Sequence, residues 1–405
     1  MKIVVLKFGG TSVADERGRE NLAKRIREAI DDGFSPVVVV SAMGRYPAPY
    51  ATDTLLSLFK PWGEPKASEK DMLMACGEII SAVIITQYLR SQGLQAAAFS
   101  GADAGIRTSG TFGEASIEEI NTAKLRQALE QGLIPVVAGF QGETSEGETA
   151  TLGRGGSDTT AAALGAALGA ARVDIFTDVA GVMTADPRQV SAAKMLPSIT
   201  YTEIGEMAHE GAKVLHPRAV DTAEAHSIPL AVRSTFESSP GTVIGDETVR
   251  IFDKHKKGKI ATGVVCVSGY CAVSVDFSLA ADIRGGRLQV MDKLADALLS
   301  LDMINLVTDR LYFLIKEQEL QKASALLADC GFGFSVRKGC AKVSVIGQGM
   351  RGQPGVMRSI CRALSSKGIE LIYSTDSHIT ISCVVPHENM RQAAQALHDE
   401  FGLNE

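Results

Sequence analysis

The sequence predicts an α/β protein, a mainly parallel sheet sandwiched by helices, followed by two ferredoxin-like βαββαβ repeats. Three observations predict it. Over roughly the first 235 residues strand-like and helix-like patterns alternate, as they do where crossover helices link parallel strands. The strand segments are apolar throughout rather than alternating, which fits burial on both faces. The last third repeats itself. Val290, Met291, Leu294, Ala297, Leu298 and Ser300 recur as Val356, Met357, Ile360, Ala363, Leu364 and Ser366, an offset of 66. Leu320, Ala323, Leu327 and Asp329 recur as Met390, Ala393, Leu397 and Asp399, an offset of 70.

In order along the chain, strands are expected at 3–6, 36–41, 94–99, 133–140, 171–177 and 229–233. Leu22, Ile26, Ala29 and Ile30 share one face of a helix after the first strand. A second helix is expected from Ser68, with Asp71 three residues on as a capping box, to about Leu89. A third opens at Ser157, where Gly165 and Gly169 permit close packing on a sheet. Each repeat reads strand, helix, two strands, helix, strand, and two such small units should pack side by side.

Composition narrows the function. The 405 residues carry 41 Lys+Arg against 47 Asp+Glu, a net charge of −6, which argues against a phosphate-tracking nucleic-acid surface. The apolar windows noted, such as 161–171, fall short of the ~20 residues of a membrane span. No signal peptide fits the start, and the seven cysteines show no C-x-x-C pair, so a zinc ribbon or disulfide framework is a poor reading. A cytoplasmic location is expected.

Four segments carry chemistry. Lys7-Phe8-Gly9-Gly10-Thr11-Ser12 ends the first strand, and its glycines allow backbone N–H groups to approach phosphate oxygens. It is not a Walker A loop, in which the lysine follows the glycines. Gly153-Arg154-Gly155-Gly156-Ser157-Asp158 sets an arginine among glycines at a helix start, and arginine suits bidentate carboxylate binding. The others are 177–188, with Thr177, Asp178, Met183, Asp186 and Arg188, and 211–218, with Lys213 and His216. His216 lacks a sequence partner and reads as structural.

Together with Ser41-Ala42-Met43-Gly44, Thr52-Asp53 and Cys76-Gly77-Glu78, these segments resemble the aspartokinases of the amino-acid kinase family, and the repeat resembles their tandem ACT domains. The loop 45–51 and Asp376-Ser377-His378 suggest the Bacillus-type, diaminopimelate-responsive branch. The resemblance implies a catalytic domain over 1–240, a linker over 241–258 and ACT domains at 259–338 and 339–405. It implies ATP- and Mg²⁺-dependent phosphorylation of the aspartate β-carboxylate, the entry step toward lysine, diaminopimelate, threonine and methionine. Lys7, Asp158 and Lys213 match catalytic positions, and Ser41, Thr52, Glu78, Arg154 and Ser157 the aspartate site. Lys7, Gly9, Gly10, Thr177, Asp178, Met183, Asp186, Arg188 and Lys213 match the nucleotide site; Met183 stands where many relatives carry tyrosine. No protein-held metal site is expected. The implied partners are aspartate, ATP, an amino-acid effector at the ACT interface and a second copy of the chain, with neither nucleic acid nor membrane.

Elementary chemistry agrees. Glu78 and Arg154 offer opposite charges to the ammonium and α-carboxylate of a free amino acid. A β-carboxylate of pKa about 4 is already ionised at neutral pH, so no general base is needed. Two other readings compete, a kinase for another acidic amino acid and a non-catalytic sensor. Gly347-Gln348-Gly349-Met350-Arg351-Gly352 spells a dinucleotide fingerprint, but inside a repeat with no second βαβ half it reads as an ACT loop. The two offsets differ by 70 − 66 = 4, which predicts a central hairpin four residues shorter in the first copy, and weakened feedback inhibition.

Overall fold

The computed structural model describes residues 1–246, 260–350 and 352–405, which fall into two bodies. The first comprises Met1–Val182, Met195–Ala208 and residues 213–246; the second comprises Met183–Lys194, His209–Ala212 and the described residues from 260 onward. The expected linker beyond residue 246, with its basic run, lies outside the described residues.

The first body's elements are β1 (Ile3–Phe8), α1 (Gly10–Val13), α2 (Glu16–Asp31), β2 (Ser35–Val40), α3 (Thr52–Ser57), α4 (Ala67–Ser91) and β3 (Ala96–Phe99). Then come β4 (Ile106–Thr108), β5 (Ile117–Ile120), α5 (Ala123–Glu130), β6 (Ile134–Ala138), β7 (Gln141–Glu143), β8 (Thr149–Thr151), α6 (Gly156–Leu168) and β9 (Val173–Thr177). It closes with β10 (Ser198–Thr200), α7 (Tyr201–His209), α8 (Pro217–Ala225), β11 (Leu230–Ser234) and β12 (Thr242–Gly245). The main sheet runs β10-β12-β11-β9-β1-β2-β6-β3, parallel except at β11–β12. All six expected strands lie in it. The short β10 and β12, and a separate sheet of order β5-β4-β7-β8, were not legible.

Leu22, Ala23 and Ile26 of α2 pack with Ala82, Ile85 and Leu89 of α4 against Val4, Leu6 and Val38 of the sheet. By length and hydropathy α4 would suffice to cross a membrane, but half of its apolar window is buried in this body. It starts at Ala67, and Lys66 provides no side-chain cap. Asp71 is no capping residue: it is buried, and accepts backbone N–H groups of Gly113 at 2.8 Å and Thr151 at 2.6 Å.

The second body contains β13 (Gly263–Asp276), α9 (Ile283–Asp296), β14 (Asp302–Leu306), β15 (Arg310–Lys316), α10 (Leu320–Cys330) and β16 (Gly333–Ile346). It continues with α11 (Val356–Ser365), β17 (Tyr373–Asp376), β18 (Thr380–Pro386) and α12 (Met390–Glu400), and its sheet runs β14-β15-β13-β16-β18-β17. Two ferredoxin-like units share this sheet, each with its own apolar core under α9 and α10 or α11 and α12.

The division differs from the expected boundaries of 259–338 and 339–405. The first half of β13 pairs with the second half of β16, Gly263↔Ile346 to Ser268↔Ala341, and so completes the second unit. The second half, from Tyr270, pairs with β15 and completes the first. The second unit therefore takes its remaining strand from ahead of the first. Gly269 and Gly339, at φ 83° and 65°, sit at the register shift where the long strands pass from one unit to the other.

The hairpin expectation is corrected too. Both hairpins turn through three residues, 307–309 and 377–379, and β15 and β18 are each seven residues long. The missing residues lie between helix and strand. In the first unit the chain passes from Asp296 to Asp302, in the second it has Gly368 for the left-handed turn after α11. Leu298 and Met303 instead carry that conformation, at φ 55° and 49°, and β14 bulges between Asp302 and Asn305. The Gly347 fingerprint is structural, since a Cβ there would lie 2.3 Å from the Ile260 carbonyl oxygen. All seven cysteines are free, and four are buried as small apolar side chains.

Candidate active site

Strand order reverses at β1, with β2 on one side and β9 on the other. Parallel sheets open a ligand crevice outside the carboxyl ends of the strands at such a switch point. The Lys7–Ser12 segment lies there. Gly9 donates its N–H to the Phe176 carbonyl at the end of β9, 3.2 Å away. A Cβ on Gly10 would lie 2.7 Å from the Ala42 oxygen and 2.8 Å from the Gly44 oxygen, so only glycine lets the β1 and β2 loops touch.

Lys7 is buried, and its Nζ lies 2.6 Å from Asp158 Oδ1. Asp158 stands in the first turn of α6, where helix polarity favours a carboxylate. Gly153 and Gly155 hold φ values of 74° and 67° in the turn before α6. A Cβ on Gly155 would strike His216, so His216 packs against this turn, in keeping with its structural reading. Ser157 is equally confined, since a Cβ on Gly139 would lie 2.9 Å from it. These contacts bring α6 to the ends of β1 and β6.

Glu78 reaches the site from α4. Gly77 lets the helix approach Ala42 and Tyr50, and the Ala42 N–H donates to Glu78 Oε1 at 3.0 Å. Oε2 is buried without a partner among the described residues. Burial pushes the Glu78 carboxyl up to about 8, against the smaller opposing effect of the Ala42 hydrogen bond. Ser41 precedes Ala42, and Thr52 opens α3, which packs on α4. Arg154 and Lys213 are exposed, and neither forms an ion pair among the described residues.

The expected nucleotide residues divide. Thr177 Oγ1 donates to Asp178 Oδ1 at 3.1 Å, and Arg45 lies 3.6 Å from Asp178 on the exposed rim. Met183, Asp186 and Arg188 belong to the second body, against the expected boundary at 240. Their segment is held there by Val264 N–H on the Thr184 oxygen at 2.8 Å, and by Ala185 and Val190 in that body's core. Asp186 and Arg188 pair side by side at 2.8 Å.

Two site-building residues escaped the sequence reading. Asp71 ties α4 to β8, the strand that leads into the Gly153 turn. Arg218 of α8 donates to the Leu152 oxygen at 2.7 Å and the Ala115 oxygen at 3.0 Å, bracing the same turn. Asp71 fell at a plausible capping position, and an arginine on a helix carries no local signal of its target.

Similarity to known proteins identifies the family. The amino acid kinase family model matches residues 2–234, and an ACT domain model matches residues 335–399. Aspartokinase 1 of Bacillus subtilis is 44% identical over 413 residues, covering 100% of both chains. The aspartokinase of Geobacillus stearothermophilus is 39% identical over 415 residues, 100% of this chain and 98% of that one. The crystal structure of E. coli aspartokinase III in complex with aspartate and ADP has a TM-score of 0.77 at 28% identity, covering 98% of this chain and 99% of that chain. The same enzyme in complex with lysine and aspartate also gives 0.77, covering 99% of this chain and 100% of that chain. With a full-length match at 44% identity and kinase and ACT models on the two bodies, the chain belongs to the aspartokinases of the amino acid kinase family.

Proposed function

We propose that the aspartokinase reaction is divided among these residues as follows. Glu78 Oε2 receives the α-ammonium of aspartate and Arg154 its α-carboxylate, with Ser41, Thr52 and Ser157 completing the pocket. The observation that carries this reading is the buried, unpartnered Glu78 oxygen beside Ser41 and Ala42, a polar atom that a cationic ligand would satisfy. The β-carboxylate oxygen bonds to the γ-phosphorus of ATP, the bond from that phosphorus to the β,γ-bridging oxygen breaks, and ADP leaves. No proton is transferred. Catalysis rests on countering charge: Lys7, oriented by Asp158, and Lys213 face the phosphates.

Gly9, Gly10, Thr177 and Asp178 are proposed for the nucleotide; Met183, Asp186 and Arg188 are added on the resemblance alone. Mg²⁺ is proposed to arrive on the ATP phosphates, where it neutralises charge; among the described residues no group of three potential metal ligands forms a site of its own.

Arg154→Ala tests the substrate assignment. The aspartate KM should rise about 10- to 100-fold while the ATP KM stays near wild type, because the arginine holds a group that does not react. A near-wild-type aspartate KM would contradict the assignment.

The ACT units are proposed to mediate homodimerisation and to take an amino-acid effector, as E. coli aspartokinase III was solved with lysine. Titrating lysine, threonine and diaminopimelate against activity should give submillimolar inhibition by at least one; none up to saturating levels would refute an effector site.

A further inference from the structure

Within the first body, Glu78 and Arg154 can recognise the two ends of one amino acid only if their separation is fixed. They stand on different elements, Glu78 on α4 and Arg154 in the turn before α6. Gly153, Gly155 and Gly156 give that turn little stiffness of its own. Something else must hold it at a set distance from the helix.

Asp71, Ala75 and Glu78 follow at i, i+4 and i+7, so they share one face of α4, and all three are buried. The β7–β8 hairpin is attached to that face at two points. Asp71 Oδ2 accepts the N–H of Thr151 at 2.6 Å and that of Gly113 at 2.8 Å. Gln141 Nε2 donates to the Ala75 carbonyl oxygen at 3.0 Å, and Gln141 is itself paired with Thr151 across the hairpin.

Each attachment leads to the turn. Thr151 lies three residues before Arg154, a span of at most about 10 Å. Gly113 packs against the turn directly, since a Cβ on Gly153 would lie 2.9 Å from the Gly113 carbonyl oxygen. Phe140, just ahead of Gln141, accepts the Leu152 N–H at 2.8 Å and donates its own N–H to Thr160 Oγ1 of α6 at 3.0 Å. In the other direction, Glu78 stands two turns along α4 from Asp71, about 10 Å. Asp71 is 1% exposed, and burying a carboxylate costs stability where an apolar side chain would not. What the carboxylate adds is a rigid attachment, because hydrogen bonds to an acidic acceptor are short and strong.

We infer that Asp71, with Gln141 beside it, is a positioning residue that sets the distance between Glu78 and the turn carrying Arg154, and so fixes the pocket for the α-amino and α-carboxylate groups of the substrate. This rests on the roles proposed for Glu78 and Arg154.

The test is a double-mutant cycle on the full-length enzyme, comparing Asp71→Leu, Arg154→Ala and the double variant. Asp71→Leu should raise the aspartate KM about 10- to 100-fold, the cost of misplacing a binding group, while the ATP KM stays within about twofold of wild type. In the Arg154→Ala background the same substitution should add far less, because the group it positions is gone. Asp71→Asn should recover much of the loss, since one remaining oxygen can accept both N–H groups. Full additivity of the two losses, or an equal rise in both KM values, would overturn the inference and leave the Arg154 assignment standing. A wild-type aspartate KM in Arg154→Ala alone would overturn both. If Asp71→Leu fails to fold, Gln141→Leu removes the second attachment, leaves the Ala75 carbonyl its helical bond, and is read against Arg154→Ala by the same criteria.

Discussion

Lys7→Met should lower kcat by about two to three orders of magnitude, the usual loss when one preorganised charge facing a developing anion is removed. The loss should fall on kcat far more than on the aspartate KM, because the developing phosphoryl charge is what Lys7 is proposed to counter. A Cβ on Gly9 would lie 3.7 Å from Lys7 Nζ, so the ammonium lies over the glycine loop while Asp158 holds it at 2.6 Å. Asp158→Asn keeps the shape but removes the orienting charge, and should also act on kcat. Lys7→Arg should not restore activity, since a planar guanidinium does not reproduce a point charge in that confined space. Steady-state kinetics on the three variants check this; wild-type kcat in Lys7→Met would contradict it.

The second large effect concerns pH. With the Glu78 carboxyl near 8, roughly a tenth of the free enzyme carries the ionised form at pH 7. The ammonium contact proposed for Glu78 needs that ionised form, so aspartate binding should expel a proton. The aspartate KM should accordingly fall about tenfold per pH unit as pH rises toward 8 and level off above it. Aspartate's own carboxylates are ionised throughout this window. Glu78→Gln should bind aspartate weakly and lose the pH dependence.

Stability should move the other way. A folded-state value raised above the ordinary glutamate value of 4.5 adds stability that is complete below 4.5 and is lost as pH rises through about 8. Without substrate, Glu78→Gln should therefore melt at or above the wild-type temperature at pH 9. Melting curves with and without aspartate, together with KM across pH 6–9, check both halves; a flat wild-type KM would refute the role of the carboxylate.

What the sequence made legible follows the range of the interactions. Lys7, Glu78, Arg154 and Asp158 stand in local patterns of glycine, charge and strand end, and could be picked out one by one. Their mutual geometry could not, because Lys7 and Asp158 meet only when β1 and α6 converge. Asp71 misled for the same reason. Three residues after Ser68 it fits a cap, and only tertiary structure reveals that it holds Gly113 and Thr151. The strand exchange within β13 was hidden as well, since an unbroken apolar run gives no sign of changing partners at Gly269. Counting offsets located the four-residue difference between the repeats, but not the element that absorbed it.

The most direct measurement is trapping of the acyl phosphate with hydroxylamine, in the presence of ATP and Mg²⁺, across a panel of amino acids. Opposite charges at Glu78 and Arg154 should accept a free ammonium and an α-carboxylate, and the reacting oxygens should suit a side chain of aspartate's length. The account predicts abundant hydroxamate from L-aspartate, little from glutamate, and little from aspartate whose amino group is acetylated. Equal hydroxamate from glutamate, or undiminished reaction of the acetylated substrate, would contradict it.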